Sequence, residues 1–308
     1  MVDNPPVERL RTVHLVPLTA FEGPEQRLAL EPMRSLTTRL HEAGVKAFIP
    51  CAGSAEFYAV SPDEIVAAVE MTHSVVGTSA LTIAPIGFQL STALDVGRRS
   101  LEKGADAVMV MPPVGPYLSD VGLRDYYRTI FDELDAPVIV YKKGDLPSDQ
   151  LLLELADHPR FVAVKYAVND IDAFQRIVDA DGGRIEWICG SAERFAPYFW
   201  LSGSRGYTSG AGNICPRVTL AMHDALERGD WERGMHFQRI IRPIEDFRAR
   251  AGNSFNISFL KHALVQTGLD FGPPRTPQRR VTHEEKREID AMLPPILEAE
   301  AALATAAV

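Results

Sequence analysis

Two side chains in this sequence stand where covalent chemistry is possible. Lys165 closes the apolar run Phe161-Val162-Ala163-Val164. An ammonium at the end of such a run loses hydration, which disfavours its charged form and leaves a nucleophilic amine near neutral pH. An amine of that kind condenses with a ketone to give an imine. The same position also suits a lysine paired with a carboxylate or reaching into solvent, and position alone leaves these readings open. One run earlier, Tyr141 ends Val138-Ile139-Val140. A phenol there can carry protons to and from a carbinolamine on a neighbouring strand, or it can simply pack with its hydroxyl satisfied. After the second run comes the small, polar turn Cys51-Ala52-Gly53-Ser54-Ala55-Glu56-Phe57. Its backbone N–H groups and the Ser54 hydroxyl suit a carboxylate; the alternative is a plain strand-to-helix turn. The glycines of Gly203 to Gly212 fit either a phosphate site or close backbone packing around a small ligand. The eight histidines include no HExxH pattern and the three cysteines no CxxC pair, so neither a catalytic metal nor any other cofactor is expected. His14 reads as a satisfied core histidine, and Cys51, Cys189 and Cys215 as reduced thiols.

The elements that must position these residues recur with a regular beat. Short apolar runs lie at Val13–Pro17, Val45–Pro50, Ala80–Ile86, Ala107–Pro112, Pro137–Tyr141, Phe161–Lys165, Arg184–Cys189 and Gly206–Ser209. They are nearly continuous in Val, Ile and Ala, as parallel strands covered on both faces require. Each is followed by a helical pattern. Pro24 opens the first helix and Gly44 closes it; Ser61-Pro62-Asp63-Glu64 is a capping box. Ser148, Asn169 and Ser191 are further caps, with Gly104 and Gly182-Gly183 as stops. Eight such beats predict an α/β fold, a (β/α)8 TIM barrel, over residues 10–225. A doubly wound open sheet would need a glycine-rich dinucleotide turn after its first strand, and Leu18-Thr19-Ala20 stands there instead. From about Pro216 the pattern is helical only, with helices from Val218, Trp231 to Arg248, Ile257 to Thr267 and from Thr282, and an Ala/Glu-rich tail fraying at Val308. This makes residues 226–308 a C-terminal helical extension.

Composition narrows the functional classes. With 46% hydrophobic and 24% charged residues, 22 Gly and 22 Pro, the chain has the make-up of an ordinary globular protein. A net charge of −9 without a Lys/Arg block argues against nucleic acid as a partner. Neither the polar stretch Met1 to Arg11 nor any later run provides an apolar leader or membrane span. A cytoplasmic enzyme acting on a small molecule is expected.

Several motifs together resemble the pyruvate-dependent class I aldolase superfamily that includes dihydrodipicolinate synthase, N-acetylneuraminate lyase and 5-dehydro-4-deoxyglucarate dehydratase. They are Val16-Pro17-Leu18-Thr19, Ala52-Gly53-Ser54-Ala55-Glu56-Phe57, Val138-Ile139-Val140-Tyr141 and Val162-Ala163-Val164-Lys165. The resemblance implies a Schiff-base lysine at Lys165 and a proton-relay tyrosine at Tyr141. It further implies a carboxylate-binding turn at Gly53 and Ser54, a backbone contact to the keto acid at Thr208, and a dimer or tetramer. Met111-Pro112-Pro113-Val114-Gly115-Pro116-Tyr117-Leu118 resembles the dehydratase branch's Pro-Pro-Tyr-Leu with a short insertion, making Tyr117 a second candidate tyrosine. The sequence departs from the synthases in having no arginine within Lys142-Lys143-Gly144-Asp145-Leu146-Pro147-Ser148, where they bind the aldehyde's carboxylate. Lys142 or Lys143 is left to supply that charge. Lys142 also replaces the usual asparagine, Ala55 the usual glycine, and Lys165-Tyr166-Ala167 the dehydratases' Lys-Asp-Gly. The expected activity is a Schiff-base aldolase or dehydratase acting on a 2-keto acid or keto-sugar acid. The alternatives are a synthase-type condensation of pyruvate with an aldehyde, a barrel that binds keto or sugar acids without catalysis, and a phosphosugar enzyme.

Overall fold

The computed structural model describes residues 7–306; the expected fraying at Val308 lies outside them. The eight apolar runs form eight parallel strands: β1 (Val13–Leu15), β2 (Ala47–Phe48), β3 (Leu81–Ile86), β4 (Ala107–Val110), β5 (Val138–Lys142), β6 (Phe161–Tyr166), β7 (Glu186–Cys189) and β8 (Gly206–Ser209). Each pairs with the next, and β8 closes on β1 through Val13↔Tyr207, His14↔Thr208 and Leu15↔Ser209, making a closed (β/α)8 TIM barrel. The runs extend a residue or more beyond several strands: Val16 and Ile49 still donate to Ser209 O and Leu15 O of the neighbouring strands, and the prolines that follow them, Pro17 and Pro50, have no N–H to continue the ladder. The barrel helices are α1 (Leu30–Glu42), α2 (Pro62–Val76), α3 (Leu90–Glu102), α4 (Asp120–Glu133), α5 (Asp149–Leu155), α6 (Ile171–Asp181), α7 (Ala192–Leu201) and α8 (Pro216–Glu227).

Strand alternation decides which side chains face the barrel interior. On β6 the Tyr166 ring lies 5.2 Å from Phe174 of α6 and 6.4 Å from Phe199 of α7, so Tyr166 faces the helices and Lys165 faces inward. On β5 the Lys142 ammonium sits 3.3 Å from Asp149 of α5, which turns Tyr141 inward. On β8 the Tyr207 hydroxyl meets Thr219 of α8, leaving Thr208 on the inner side. His14 is buried with Nε2 2.8 Å from Leu10 O, the satisfied core histidine its position suggested. All three cysteines are free and buried.

The local expectations fail where side-chain chemistry outside the reading frame intervenes. Pro24 does not open α1. Phe21–Glu22 and Arg27–Leu28 pair as a short antiparallel ribbon, with Gly23 and Gln26 at positive φ turning the chain between them, and the helix starts only at Leu30. The cap of α6 is Asp170, whose carboxylate accepts from Ala173 N at 2.9 Å, one residue beyond Asn169. Ser191 precedes α7 but makes no side-chain cap bond. Ser61 and Ser148 cap α2 and α5 as their sequences require.

Beyond α8 the chain is helical: α9 (Trp231–Arg248), the short α10 (Arg250–Asn253), α11 (Asn256–Val265), α12 (His283–Met292) and α13 (Pro294–Ala306). Thr282 and Glu285 form a reciprocal capping box at the start of α12. The helices starting near Val218 and Ile257 begin at Pro216 and Asn256, the first because Pro at the first helical position needs no N–H partner. Among the described residues no helix is long and apolar enough to cross a membrane.

Candidate active site

Register brings the two chemically suggestive side chains together. Tyr141 and Lys165 are direct partners across β5 and β6, both inward at the C-terminal ends of their strands, where barrels carry their chemistry. The Lys165 ammonium lies 4.0 Å from the centroid of the Tyr141 ring. It is only 4% exposed, and among the described residues no carboxylate pairs with it. Burial, helped by the nearby charge of Lys143, lowers its pKa to about 7. The surroundings therefore favour the uncharged amine, the state imine formation needs. Burial also raises the Tyr141 phenol well above its ordinary value, which keeps it protonated. Its hydroxyl has no hydrogen-bond partner among the described residues.

Gly53 reaches the same space. A Cβ added there would lie 3.9 Å from Tyr141 Cε1 and 4.0 Å from Met111 Cε. Gly53 and Ser54 begin a 3₁₀ turn, Gly53–Ala55, and residues that open a turn do not use their N–H groups within it. Both are half-buried. The Thr19 hydroxyl donates to Ala55 O at 2.6 Å, joining the loop after β1 to this turn. Thr208 Oγ donates to Cys189 O at 3.4 Å from the inner face of β8. Tyr117 does not join the group: it is 95% exposed on the loop after β4.

The two consecutive lysines after Tyr141 have opposite fates. Lys142 is buried, and its ammonium donates to Pro147 O at 2.7 Å, Gly144 O at 3.2 Å and Asp145 O at 3.3 Å beside Asp149. An ammonium has three donors, and these contacts use them, so Lys142 does not replace the absent arginine. Lys143 is exposed.

Three supports were not visible as such in the sequence. Glu56, buried in the left-handed conformation at the end of the 3₁₀ turn, pairs with Lys261 of α11 at 2.7 Å and accepts from Arg275 N at 2.7 Å. Glu193 is buried at the start of α7 and accepts from Thr219 Oγ1 at 2.8 Å and from Ser209 Oγ. Burial, together with the charge of Glu245, raises its pKa to about 7. Asn213 accepts from Leu18 N at 3.1 Å and donates to Val16 O and Gly210 O at 2.9 Å, tying the loops after β1 and β8. Glu56 lies inside the Cys51–Phe57 turn and Asn213 directly follows the glycines of Gly203 to Gly212; Glu193 carries no signal, because its partners are far along the chain. The glycines near β8 serve close packing. A Cβ on Gly210 would lie 2.4 Å from the Arg248 guanidinium, and one on Gly212 would lie 2.6 Å from Leu15 Cδ1.

Comparisons with known proteins bear on the family and the fold. The model of the dihydrodipicolinate synthetase family matches residues 10–295. Among relatives, a protein named "Probable 5-dehydro-4-deoxyglucarate dehydratase" from Bacillus subtilis is 30% identical over 259 residues, 82% of this chain and 83% of its own length. A 4-hydroxy-tetrahydrodipicolinate synthase from Methanospirillum hungatei is 31% identical over 276 residues, 87% of this chain and 92% of its own. The crystal structure of dihydrodipicolinate synthase from Oceanobacillus iheyensis superimposes with a TM-score of 0.90 at 32% identity, covering 93% of this chain and 96% of that one. A closed barrel with an inward lysine and tyrosine in register, matched over nearly its whole length, makes the chain a member of the dihydrodipicolinate synthetase family.

Proposed function

We propose that this protein is a Schiff-base lyase of the dehydratase type, acting on a 2-keto acid derived from a sugar acid, with Lys165 as its nucleophile. The observation that carries this reading is the uncharged-prone Lys165 amine held 4.0 Å from the Tyr141 ring. The amine adds to the C2 carbonyl, Tyr141 relays the proton that lets water leave the carbinolamine, and the resulting iminium withdraws electrons from C3. Loss of a C3 proton then gives an enamine. The enamine's electron pair expels hydroxide from C4, which leaves as water with a proton, and hydrolysis frees Lys165. The turn at Gly53 and Ser54 holds the C1 carboxylate, and the Thr208 backbone flanks the keto group.

Dehydration is favoured over condensation with an aldehyde because the loop after β5 has no arginine and the Lys142 ammonium is committed to Pro147, Gly144 and Asp145. A barrel that only binds its ligand has no need of an amine poised near neutrality. The packing role of Gly210 and Gly212 removes the support for a phosphate site. We further propose a cytoplasmic homo-oligomer. The exposed Val114, Tyr117, Leu118 and Val121 form an apolar face suited to a second copy, and Tyr117 would act only in that setting.

Pyruvate and borohydride applied to the intact protein test the mechanism. Reduction of the imine should add a covalent mass that peptide mapping places on Lys165, and Lys165→Ala should not be labelled. A wild type left unlabelled by pyruvate and by longer keto acids overturns the reading.

A further inference from the structure

The chain contains three tryptophans, and all three line a pair of adjoining cavities at the end of the barrel away from Lys165 and Tyr141. The larger, of about 500 Å³, lies between the ends of α7 and α8 and the start of α9, with Trp200 and Trp231 in its walls. The smaller, of about 260 Å³, has Trp187 of β7 in its lining. Arg11 and Arg205 line both. Arg11 lies two residues before β1 and Arg205 directly before β8, which places the cavities on the N-terminal face of the barrel, opposite the mouth that carries the chemistry. The larger cavity is of a size that suits a small ligand, and the imine chemistry makes no use of it.

The polar groups of this lining are unequally committed. Arg11 gives Nε and Nη2 to Glu186 Oε1 at 2.9 Å and 2.6 Å, so its charge is matched. Arg205 has no carboxylate partner among the described residues. Its Nη1 donates to Ser204 O at 2.7 Å and to Trp200 O at 3.1 Å. These bonds fix the guanidinium and leave Nε and Nη2 without an acceptor among the described residues. Glu227, in the wall of the larger cavity, has no ion-pair partner among the described residues either. Trp200 is itself held in place: the His223 ring packs edge-on against it at 5.2 Å, and the Arg205 guanidinium lies 5.7 Å from its centroid. The larger cavity therefore offers one unmatched cation, one unmatched carboxylate acceptor and two indole walls.

We infer that this cavity binds a small aromatic monocarboxylate that carries a hydroxyl or amino group on its ring. The carboxylate takes the unused edge of the Arg205 guanidinium, whose planar fork matches two carboxylate oxygens. The ring lies against Trp200 and Trp231, where flat apolar surface and offset stacking favour an aromatic body over a saturated one. The ring's hydroxyl or amino group donates to Glu227. A single unmatched cation suits a single negative charge, and the Glu227 carboxylate repels the further charges of a phosphate ester or a second carboxylate. The inference stands apart from the imine reading, because the cavity lies at the other end of the barrel from Lys165.

Tryptophan fluorescence of the full chain, excited at its red edge, reads the site directly, because all three fluorophores line the two cavities. Titration with 4-hydroxybenzoate should give a saturable change with half-saturation at about 1 mM or below. Phenol, which lacks the carboxylate, and 4-hydroxycyclohexanecarboxylate, which lacks the aromatic ring, should each bind about 10-fold or more weakly. Arg205→Gln should weaken 4-hydroxybenzoate about 10-fold or more and leave phenol within about 2-fold, while Arg205→Lys keeps part of the preference. Trp231→Leu should weaken both aromatic probes. Lys165→Ala should bind 4-hydroxybenzoate as wild type does, which separates this site from carboxylate capture at the mouth. Thermal unfolding of each variant without ligand shows that it is folded. A wild type with no saturable response up to about 10 mM overturns the inference. So does loss of binding in Lys165→Ala, an equal loss of 4-hydroxybenzoate and phenol in Arg205→Gln, or displacement of 4-hydroxybenzoate by an equal concentration of inorganic phosphate. If Arg205→Gln or Trp231→Leu changes the sedimentation coefficient while 4-hydroxybenzoate binds as to wild type, the face is a contact between copies and the ligand role is wrong.

Discussion

Replacing Lys165 by methionine tests whether the amine is as desolvated as its surroundings imply. Methionine keeps an unbranched chain of similar volume, so packing should change little. Holding the ammonium pKa at about 7 against an ordinary 10.5 disfavours the charged form by about 5 kcal/mol, at roughly 1.4 kcal/mol per pH unit. The sign follows from the direction. The folded-state pKa lies below the unfolded one, so the folded protein binds fewer protons between pH 7 and 10.5, and its stability rises with pH across that window. The penalty is complete below pH 7, has fallen to about 2 kcal/mol at pH 9, and vanishes above 10.5. These figures are upper limits, because water penetration and relaxation lower the effective desolvation of buried charges. Urea unfolding of both proteins at pH 6.5 and pH 9 should show Lys165→Met to be the more stable, with its advantage shrinking at the higher pH. Every other titrating group is shared and drops out of the difference. A stability difference that is the same at both values, or that favours wild type at both, would refute a desolvated amine.

Three other perturbations probe the supports. Tyr141→Phe should lower kcat by about 10² to 10⁴-fold, as loss of a positioned proton carrier does, with KM changed much less in steady-state assays. Lys261→Met leaves the buried Glu56 carboxylate with the Arg275 N–H but without its cation and should destabilise by about 3–5 kcal/mol; adding Glu56→Gln should recover much of this in urea melts, whereas a purely packing role for Lys261 predicts no recovery. Gly210→Ala places a methyl 2.4 Å from a guanidinium held by Glu245 and by Asn256 Oδ1 at 2.6 Å. It should lower stability by about 1–3 kcal/mol, and unchanged thermal unfolding would show that Arg248 moves freely.

The barrel was legible because its signal is repeated. Each covered parallel strand leaves a short run rich in Val, Ile and Ala, and eight of these at regular spacing leave little choice of architecture. Lys165 and Tyr141 were legible for a related reason: a polar residue closing an apolar run is conspicuous, and adjacent runs in a barrel become adjacent strands. Features set by distant partners were hidden. Nothing near Glu56 announces Lys261, some two hundred residues later, and nothing near Glu193 announces Thr219. The first helix was placed too early because Pro24 suits a helix start as well as the turn of a ribbon, and the pairing of Phe21 with Leu28 decides between them. Lys142 and Lys143 could not be separated by type, since only the position of α5, with Asp149, shows which of the two is committed.

The helical extension acts on the site through the barrel's loops. Lys261 and Arg275 enclose Phe21, lying 4.3 Å and 4.0 Å from its ring. Both also hold Glu56, and Arg275 bonds Glu64 of α2 as well. The turn proposed to hold the substrate's C1 carboxylate is thereby fixed from outside the barrel, by residues of the extension. Across the mouth, Arg248 packs against Gly210, while Glu193 holds Ser209, whose hydroxyl accepts from Gly212 N at 2.8 Å. Strands as short as β2, with two residues, cannot orient a loop by their ladders alone. The extension provides the missing constraint at the strand 2 and strand 8 loops. The loop after β5 is instead braced within the barrel by the Lys142 ammonium, so the extension does not fix that part of the mouth. Changes in substrate range are therefore expected to arise at residues 143–147 without disturbing Lys165 and Tyr141, whereas changes at α11 should affect binding of every keto acid alike.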